Sequence, residues 1–310
     1  MQSFKIFAAP LQGYTEASWR CAHFNSIGGV DSYFTPFLRV EKGQIRNRDL
    51  RDILPEKNAG VPVVPQAIFA DVDELKLIAD VVKSAGYTRL DLNLGCPFPP
   101  QWKKGRGAGM ISRLDVMDRV AEFIKQSSEL SFSIKMRLGI EDAMEYQTLM
   151  PLLNDIPLEY ITVHPRVARQ QYSGELHLSE FANLCVESTH PVIFNGDLLC
   201  REDIDRVREI FPNIAGVMIG RGLLARPSLA QSWRNNEPLS QEKDAELLLQ
   251  IHDKIYQEYL STLCGDSQIL SKIKPYWEYA QPVIDRRILK AIHKSTTLQR
   301  YHQAIDLLRR

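Results

Sequence analysis

The stretch DLNLGCP, residues 91–97, sets a thiol at a turn. Asp91 and Asn93 alternate with two leucines, the chain turns at Gly95, Cys96 follows, and Pro97 stiffens the next step. Burial as a small apolar side chain is the commonest fate of a cysteine. Here Lys103, Lys104 and Arg106 come shortly after, and such cations would lower a nearby thiol's pKa. A thiol in that setting serves as a nucleophile or as a general acid. The residues by themselves leave the structural and the catalytic readings open.

Further candidates lie in other segments. SIKMRLG holds Lys135 and Arg137 two residues apart, on one side of a strand. Two cations aimed at one space are costly unless they meet an anion or an electron-rich ring. His164, in TVHPR, would face the same space; alone it reads as a hydrogen-bonded structural histidine. A flavin would use such groups, because its N1–C2=O edge gathers negative charge on reduction. GVMIGRG ends in a turn at Gly220 and Arg221, and IFNGD carries Asn195, Gly196 and Asp197. Bared backbone N–H groups and the fixed fork of Arg221 suit a phosphate. One glycine turn says little; two at successive strand ends say more.

Eight short apolar runs must position these groups: residues 4–10, 31–37, 61–69, 89–95, 132–139, 160–166, 191–197 and 216–222. Several are almost continuously apolar, as in strands buried on both faces of a parallel sheet. Helical patterns fill gaps between them. Asp71 caps one helix, with Glu74 three residues on and Gly86 to end it. Val116, Val120, Phe123 and Ile124 share one face of another, and a third starts after Asp197. The alternation predicts a (β/α)8 TIM barrel, with a doubly wound sheet as the other solution. Polar residues gather at strand ends, at Gln66, Asn93, Lys135 with Arg137, His164 with Arg166, Asn195 with Asp197, and Arg221. In a barrel that rim is the active one.

After residue 236 the pattern is helical only. Between Lys272 and Arg300 lie Lys274, Arg286, Arg287, Lys290 and Lys294, against Glu278 and Asp285 alone, with Tyr276, Trp277 and Tyr279 among them. That composition fits an RNA-facing surface, or a solvated helical face over core aromatics. The 310 residues carry a formal net charge of zero, which neither indicates nor excludes a nucleic-acid partner. Five widely spaced cysteines without a CxxC pair argue against a disulfide framework and a zinc ribbon. No run approaches the roughly 20 apolar residues of a membrane span. A cytoplasmic, metal-free enzyme is the expectation.

Together these segments resemble the tRNA-dihydrouridine synthases. The resemblance covers nearly the whole chain: APLQGYT, PVVPQAIF, DLNLGCP, KGRGAGMI, SIKMRLG, TVHPR, IFNGD and VMIGRGLLARP, in that order. DLN-x-GCP is the most specific; the others recur in related flavin barrels. The resemblance implies FMN on the barrel mouth, reduced by NADPH, with hydride passing from flavin N5 to uracil C6. Cys96 then matches the acid that protonates C5. Asn93 would hold the uracil edge, with Arg137 and Tyr172 fixing the base and Lys104 in a basic loop toward RNA phosphate. Gln66, Lys135 and His164 would meet the flavin, with Pro10 and Leu11 along its ring. Asn195, Gly196, Asp197, Gly220 and Arg221 would cradle the ribityl-phosphate end. Residues 1–236 would be the FMN-binding barrel and 237–310 an RNA-recognition domain. The implied partner is a D-loop uridine of tRNA, and the protein a monomer. TxFxRV and ILSKIKPYW look most like the bacterial subclass that modifies position 16.

The chain also departs from the family. Phe98, Pro99 and Pro100 follow GCP where a small or basic pair is usual, Leu11 replaces a methionine, Pro165 a small residue and Pro36 an acidic one. The competing readings are a flavin barrel acting on a small pyrimidine or enone, and an RNA-binding module without catalysis. The first needs no basic helical appendage; the second has no use for Cys96, Lys135 and the Gly-Arg-Gly turn.

Overall fold

A computed structural model describes residues 3–309. Met1, Gln2 and Arg310, at the ends of the two expected domains, lie outside the described residues. The strands are β1 (Lys5–Ala8), β2 (Ser32–Phe34), β3 (Leu38–Glu41), β4 (Gln44–Ile45), β5 (Val63–Val64), β6 (Gln66–Ile68), β7 (Arg89–Leu94), β8 (Ser131–Gly139), β9 (Leu158–Val167), β10 (Val192–Asn195) and β11 (Gly216–Ile219). β2, β1, β11, β10, β9, β8, β7 and β6 run in spatial sequence, all parallel.

The ring closes through Pro65. β5 pairs with β2 and β6 pairs with β7. Between them the Pro65 carbonyl accepts the Asp91 N–H at 2.9 Å. Residues 61–69 are therefore one stave in two pieces, split where proline has no N–H to give. That closure selects the barrel over an open sheet. The expected strand at 31–37 is shorter, ending at Phe34, and β3 forms a separate flap on β6.

Alternation decides what faces inward. On β7, Leu90, Leu92 and Leu94 face the helices, and Asp91 and Asn93 line the barrel with Ser133 and Lys135 of β8. Phe7, Phe34, Val64, Tyr160, Ile193 and Met218 fill the barrel floor. The larger core lies between staves and helices. Helix Val72–Ser84 begins as its residues predict: Asp71 accepts the Asp73 and Glu74 N–H groups, and Glu74 accepts that of Ala70.

Helices Gln241–Thr262, Asp266–Ile273, Arg286–Lys294 and Leu298–Asp306 follow the barrel. Asp244 ties them to it, fully buried and accepting the N–H and hydroxyl of Ser228. Tyr276 and Trp277 do not face RNA. Trp277 is fully buried with its indole N–H on the Tyr301 oxygen, and the Tyr276 hydroxyl donates to the Leu248 carbonyl. They are core aromatics, as large rings beside a small helical bundle tend to be. No helix among the described residues is long and apolar enough to cross a membrane.

Candidate active site

The strand ends on the C-terminal side surround one cavity, and every candidate residue except Lys104 lines it. Lys104 is exposed on the loop beyond, outside that lining. Cys96 is held at the rim by its own strand. The Asn93 Oδ1 accepts the N–H groups of Gly95 at 3.1 Å and Cys96 at 2.8 Å. Arg137 Nε, on the neighbouring stave β8, donates to the Gly95 carbonyl at 3.1 Å. The KGRGAG segment folds back over the thiol. Gly107 has φ +56°, and a Cβ there would stand 2.7 Å from Cys96 Cβ, so only glycine permits this approach.

The thiol's acidity differs from the expectation. Burial pushes the Cys96 pKa up, against a hydrogen bond from the Phe98 backbone and the charges of Arg137, Lys135 and Arg39. The leading charges are these three, not Lys103, Lys104 or Arg106. Both lysines are exposed, and Arg106 is turned away into a pair with Glu74. Exposed charges are screened by water, whereas desolvation acts on the buried group directly. A thiol kept protonated is an acid in waiting and a poor resting nucleophile.

Below Cys96 the polar side chains are largely engaged with one another. Asn195 Oδ1 accepts Lys135 Nζ at 2.7 Å, while its Nδ2 donates to the Met218 carbonyl at 2.7 Å. Burial, and then the charge of Arg137, push Lys135 down to about 8, so at neutral pH it remains mostly a cation. His164 is held neutral. Burial and the charges of Arg137, Lys135, Arg166 and Arg221 drive its pKa well down. Its Nε2 lies 3.2 Å from Arg166 Nη1, which can only donate, so the proton sits on Nδ1. Asp197, at φ +45°, accepts from both Arg166 and Arg221. One carboxylate between two guanidiniums leaves a net positive charge at the cavity wall. The half-exposed Tyr172 ring lies between Arg137, 5.6 Å from its centroid, and Arg221, at 5.3 Å.

The profile of the family described as dihydrouridine synthase (Dus) matches residues 7–306. The chain belongs to the dihydrouridine synthase family. It is similar to the tRNA-dihydrouridine(16) synthase of Cupriavidus necator, 27% identical over 249 residues, covering 77% of this chain and 77% of that one. A probable tRNA-dihydrouridine synthase of Helicobacter pylori is 26% identical over 298 residues, covering 89% of this chain and 83% of that one. Among solved structures, the old yellow enzyme from Trypanosoma cruzi shares the barrel at a TM-score of 0.53 and 12% identity, over 76% of this chain and 89% of that one.

For this dihydrouridine synthase, residue patterns passed over Gln12, Asp91 and Ser133 and gave Arg166 no role. Gln12 lines the cavity with its amide oxygen buried and unpartnered. Arg166 orients His164 and Asp197; its place in the sequence marks it only as a polar strand end. Asp91 and Ser133 lie one layer deeper, and a period-two reading of DLN and SIK is the signal that could find both.

Proposed function

We propose that this dihydrouridine synthase reduces a D-loop uridine of tRNA, with FMN as its resident cofactor, NADPH as reductant and Cys96 as the acid for uracil C5. The supporting observation is the cavity itself, where a protonated thiol, a lysine cation and an arginine-walled recess share one opening. Bound FMN, once reduced, would supply the hydride for uracil C6. The donor set fits that group: Lys135 beside the electron-rich ring edge, Gln66 and neutral His164 as hydrogen-bonding partners, and apolar Pro10 and Leu11 against the ring face. Gly196, Gly220 and Arg221 suit the phosphate end. There Asp197 would share the Arg221 fork with the phosphate, and Asn195 would act through Lys135. Arg137 already spends its fork on the Gly95, Val167 and Gln171 carbonyls, so it fixes the base by holding the loop that carries Tyr172.

The barrel through residue 236 would carry the chemistry and residues 237–310 the RNA contacts, in a monomer of the cytoplasm. On helix Arg286–Lys294, Arg286, Arg287, Lys290 and Lys294 are exposed, and none is in an ion pair among the described residues. Replacing Arg287, Lys290 and Lys294 together with alanine should weaken tRNA binding and flatten its salt dependence. The slope of log affinity against log salt should drop by roughly 1 for each phosphate that is no longer neutralised. Electrophoretic mobility shifts over a salt series read this directly.

Relatives named for position 16 support that uridine as the target. Phe98, 58% exposed beside the cavity, is the departure placed to alter RNA preference. The function is tested by mapping dihydrouridine in tRNA from a strain lacking the protein, together with flavin release from the purified chain. Loss at position 16 and a yellow, FMN-releasing protein are expected. Unaltered tRNA would overturn the substrate, and a colourless protein that cannot be reconstituted would overturn the cofactor.

A further inference from the structure

We propose that Asp91, out of reach of any substrate, is a positioning residue that sets the direction of two amides and thereby holds the Cys96 turn. It rests on the reading of Cys96 as the acid. Asp91 is fully buried in the barrel. Its Oδ1 accepts the Ser133 hydroxyl at 2.6 Å and its Oδ2 accepts Gln66 Nε2 at 2.7 Å. Gln66 Oε1 accepts Asn93 Nδ2 at 2.7 Å. Asn93 Oδ1 then accepts the Gly95 and Cys96 N–H groups. A carboxylate can only accept and a backbone N–H can only donate. With those two ends fixed, each amide between them has a single orientation. Turning Gln66 over would set two acceptors together at Asp91 and two donors together at Asn93. Turning Asn93 over would set its NH2 against the backbone donors beneath Cys96. An unpaired buried group costs far more than a formed bond returns, so the turn is locked from below.

The surroundings keep the lock near its tipping point. Burial raises the Asp91 pKa to about 6, against the Ser133 and Gln66 bonds and the charges of Lys135 on β8 and Arg89 on β7. Across the floor Arg89 also meets the Tyr160 hydroxyl of β9 and Glu159. Above that pKa Asp91 accepts twice. Below it the carboxyl carries a proton and loses half its directing power, so uridine turnover should fall as the pH drops through about 6.

The test compares wild type, Asp91→Asn and the swap Asp91→Asn/Gln66→Glu. The swap moves the obligate acceptor one step up the chain, where it again forces the Asn93 NH2 downward. Two measurements are made on each purified protein: the Cys96 alkylation rate with iodoacetamide, followed peptide by peptide, and uridine turnover on tRNA from pH 5.5 to 8. Asp91→Asn should alkylate several-fold faster, lose roughly 10- to 100-fold in kcat with little change in KM, and lack the acid limb. The swap should return the alkylation rate to that of wild type. Unchanged alkylation in Asp91→Asn overturns the proposal whatever turnover does, and so does a swap that fails to restore it. If Asp91→Asn does not fold, the swap alone decides, since altered Cys96 reactivity there contradicts the directional lock. Cys96→Ala keeps the readings apart: full turnover in that variant sinks the acid assignment, while the alkylation data still judge Asp91.

Discussion

Cys96→Ala is expected to lower dihydrouridine formation by about 10²- to 10⁴-fold at neutral pH, the range lost when a positioned general acid is removed. The fold should survive, because the turn is held by backbone N–H groups, Asn93 and Arg137 and not by the thiol. Flavin content should match wild type for the same reason. The sign of the pH dependence follows from burial. The Cys96 pKa lies above its ordinary value, so the acid form persists through neutral pH and is lost only as the pH climbs past that raised pKa. Lys135 loses its charge at about 8 in both proteins, so the mark of the thiol is a further fall in wild-type turnover past the Cys96 pKa, which the variant, with no thiol to titrate, should lack. Single-turnover reduction of tRNA by prereduced enzyme, over a pH series, isolates the step. A variant that keeps both the rate and that further fall would assign the proton to another donor, or to water.

The barrel was legible because parallel staves need apolar runs and turn residues in alternation, and both are local in sequence. Polar side chains at strand ends were legible for the same reason, since period two fixes which residues share a side. What escaped was long-range. The Cys96 pKa depends on what covers the thiol, and the covering segment at Gly107 meets it only in three dimensions. Counting nearby lysines therefore gave the wrong sign. Tyr276 and Trp277 sit in a basic stretch that resembles an RNA surface, yet they pack inward because the helices need a core. The break at Pro65 could have been foreseen from proline's missing donor; its role in closing the ring could not. Asn93 and Asn195 line the cavity, as strand ends in a barrel do, but their hydrogen bonds go mainly to protein.

Arg20→Met is expected to cost about 3–5 kcal/mol of folding stability, the penalty for breaking a buried ion pair by deleting one partner. Arg20 lies in helix Ala17–Ser26 and is 0% exposed. Nη1 donates to the Thr15 carbonyl at 2.7 Å and Asp52 Oδ2 at 2.9 Å, and Nη2 to the Asp52 carbonyl and Asn58 Oδ1, both at 2.8 Å. Methionine fills much of the volume but takes the arginine's donors from Asp52 Oδ2, the Thr15 carbonyl and Asn58 Oδ1, leaving Asp52 only the Ala17 N–H on Oδ1 and the Asn58 amide on its carbonyl. Lysine keeps the charge and loses the fork, so Arg20→Lys should recover only part of the stability. The damage should also reach the active rim. Thr15 closes the loop that carries Leu11, its hydroxyl accepting the Leu11 N–H at 2.8 Å and its own N–H donating back to the Leu11 carbonyl. Leu11 lines the cavity, so loosening Thr15 should weaken FMN binding as well as the fold. Urea unfolding with and without excess FMN separates the effects, because a ligand stabilises in proportion to its affinity for the folded state. Both a lower midpoint without FMN and a smaller FMN-induced rise are expected. A midpoint within about 0.5 kcal/mol of wild type, the range of an ordinary surface change, would mean that water reaches Asp52 and replaces the arginine.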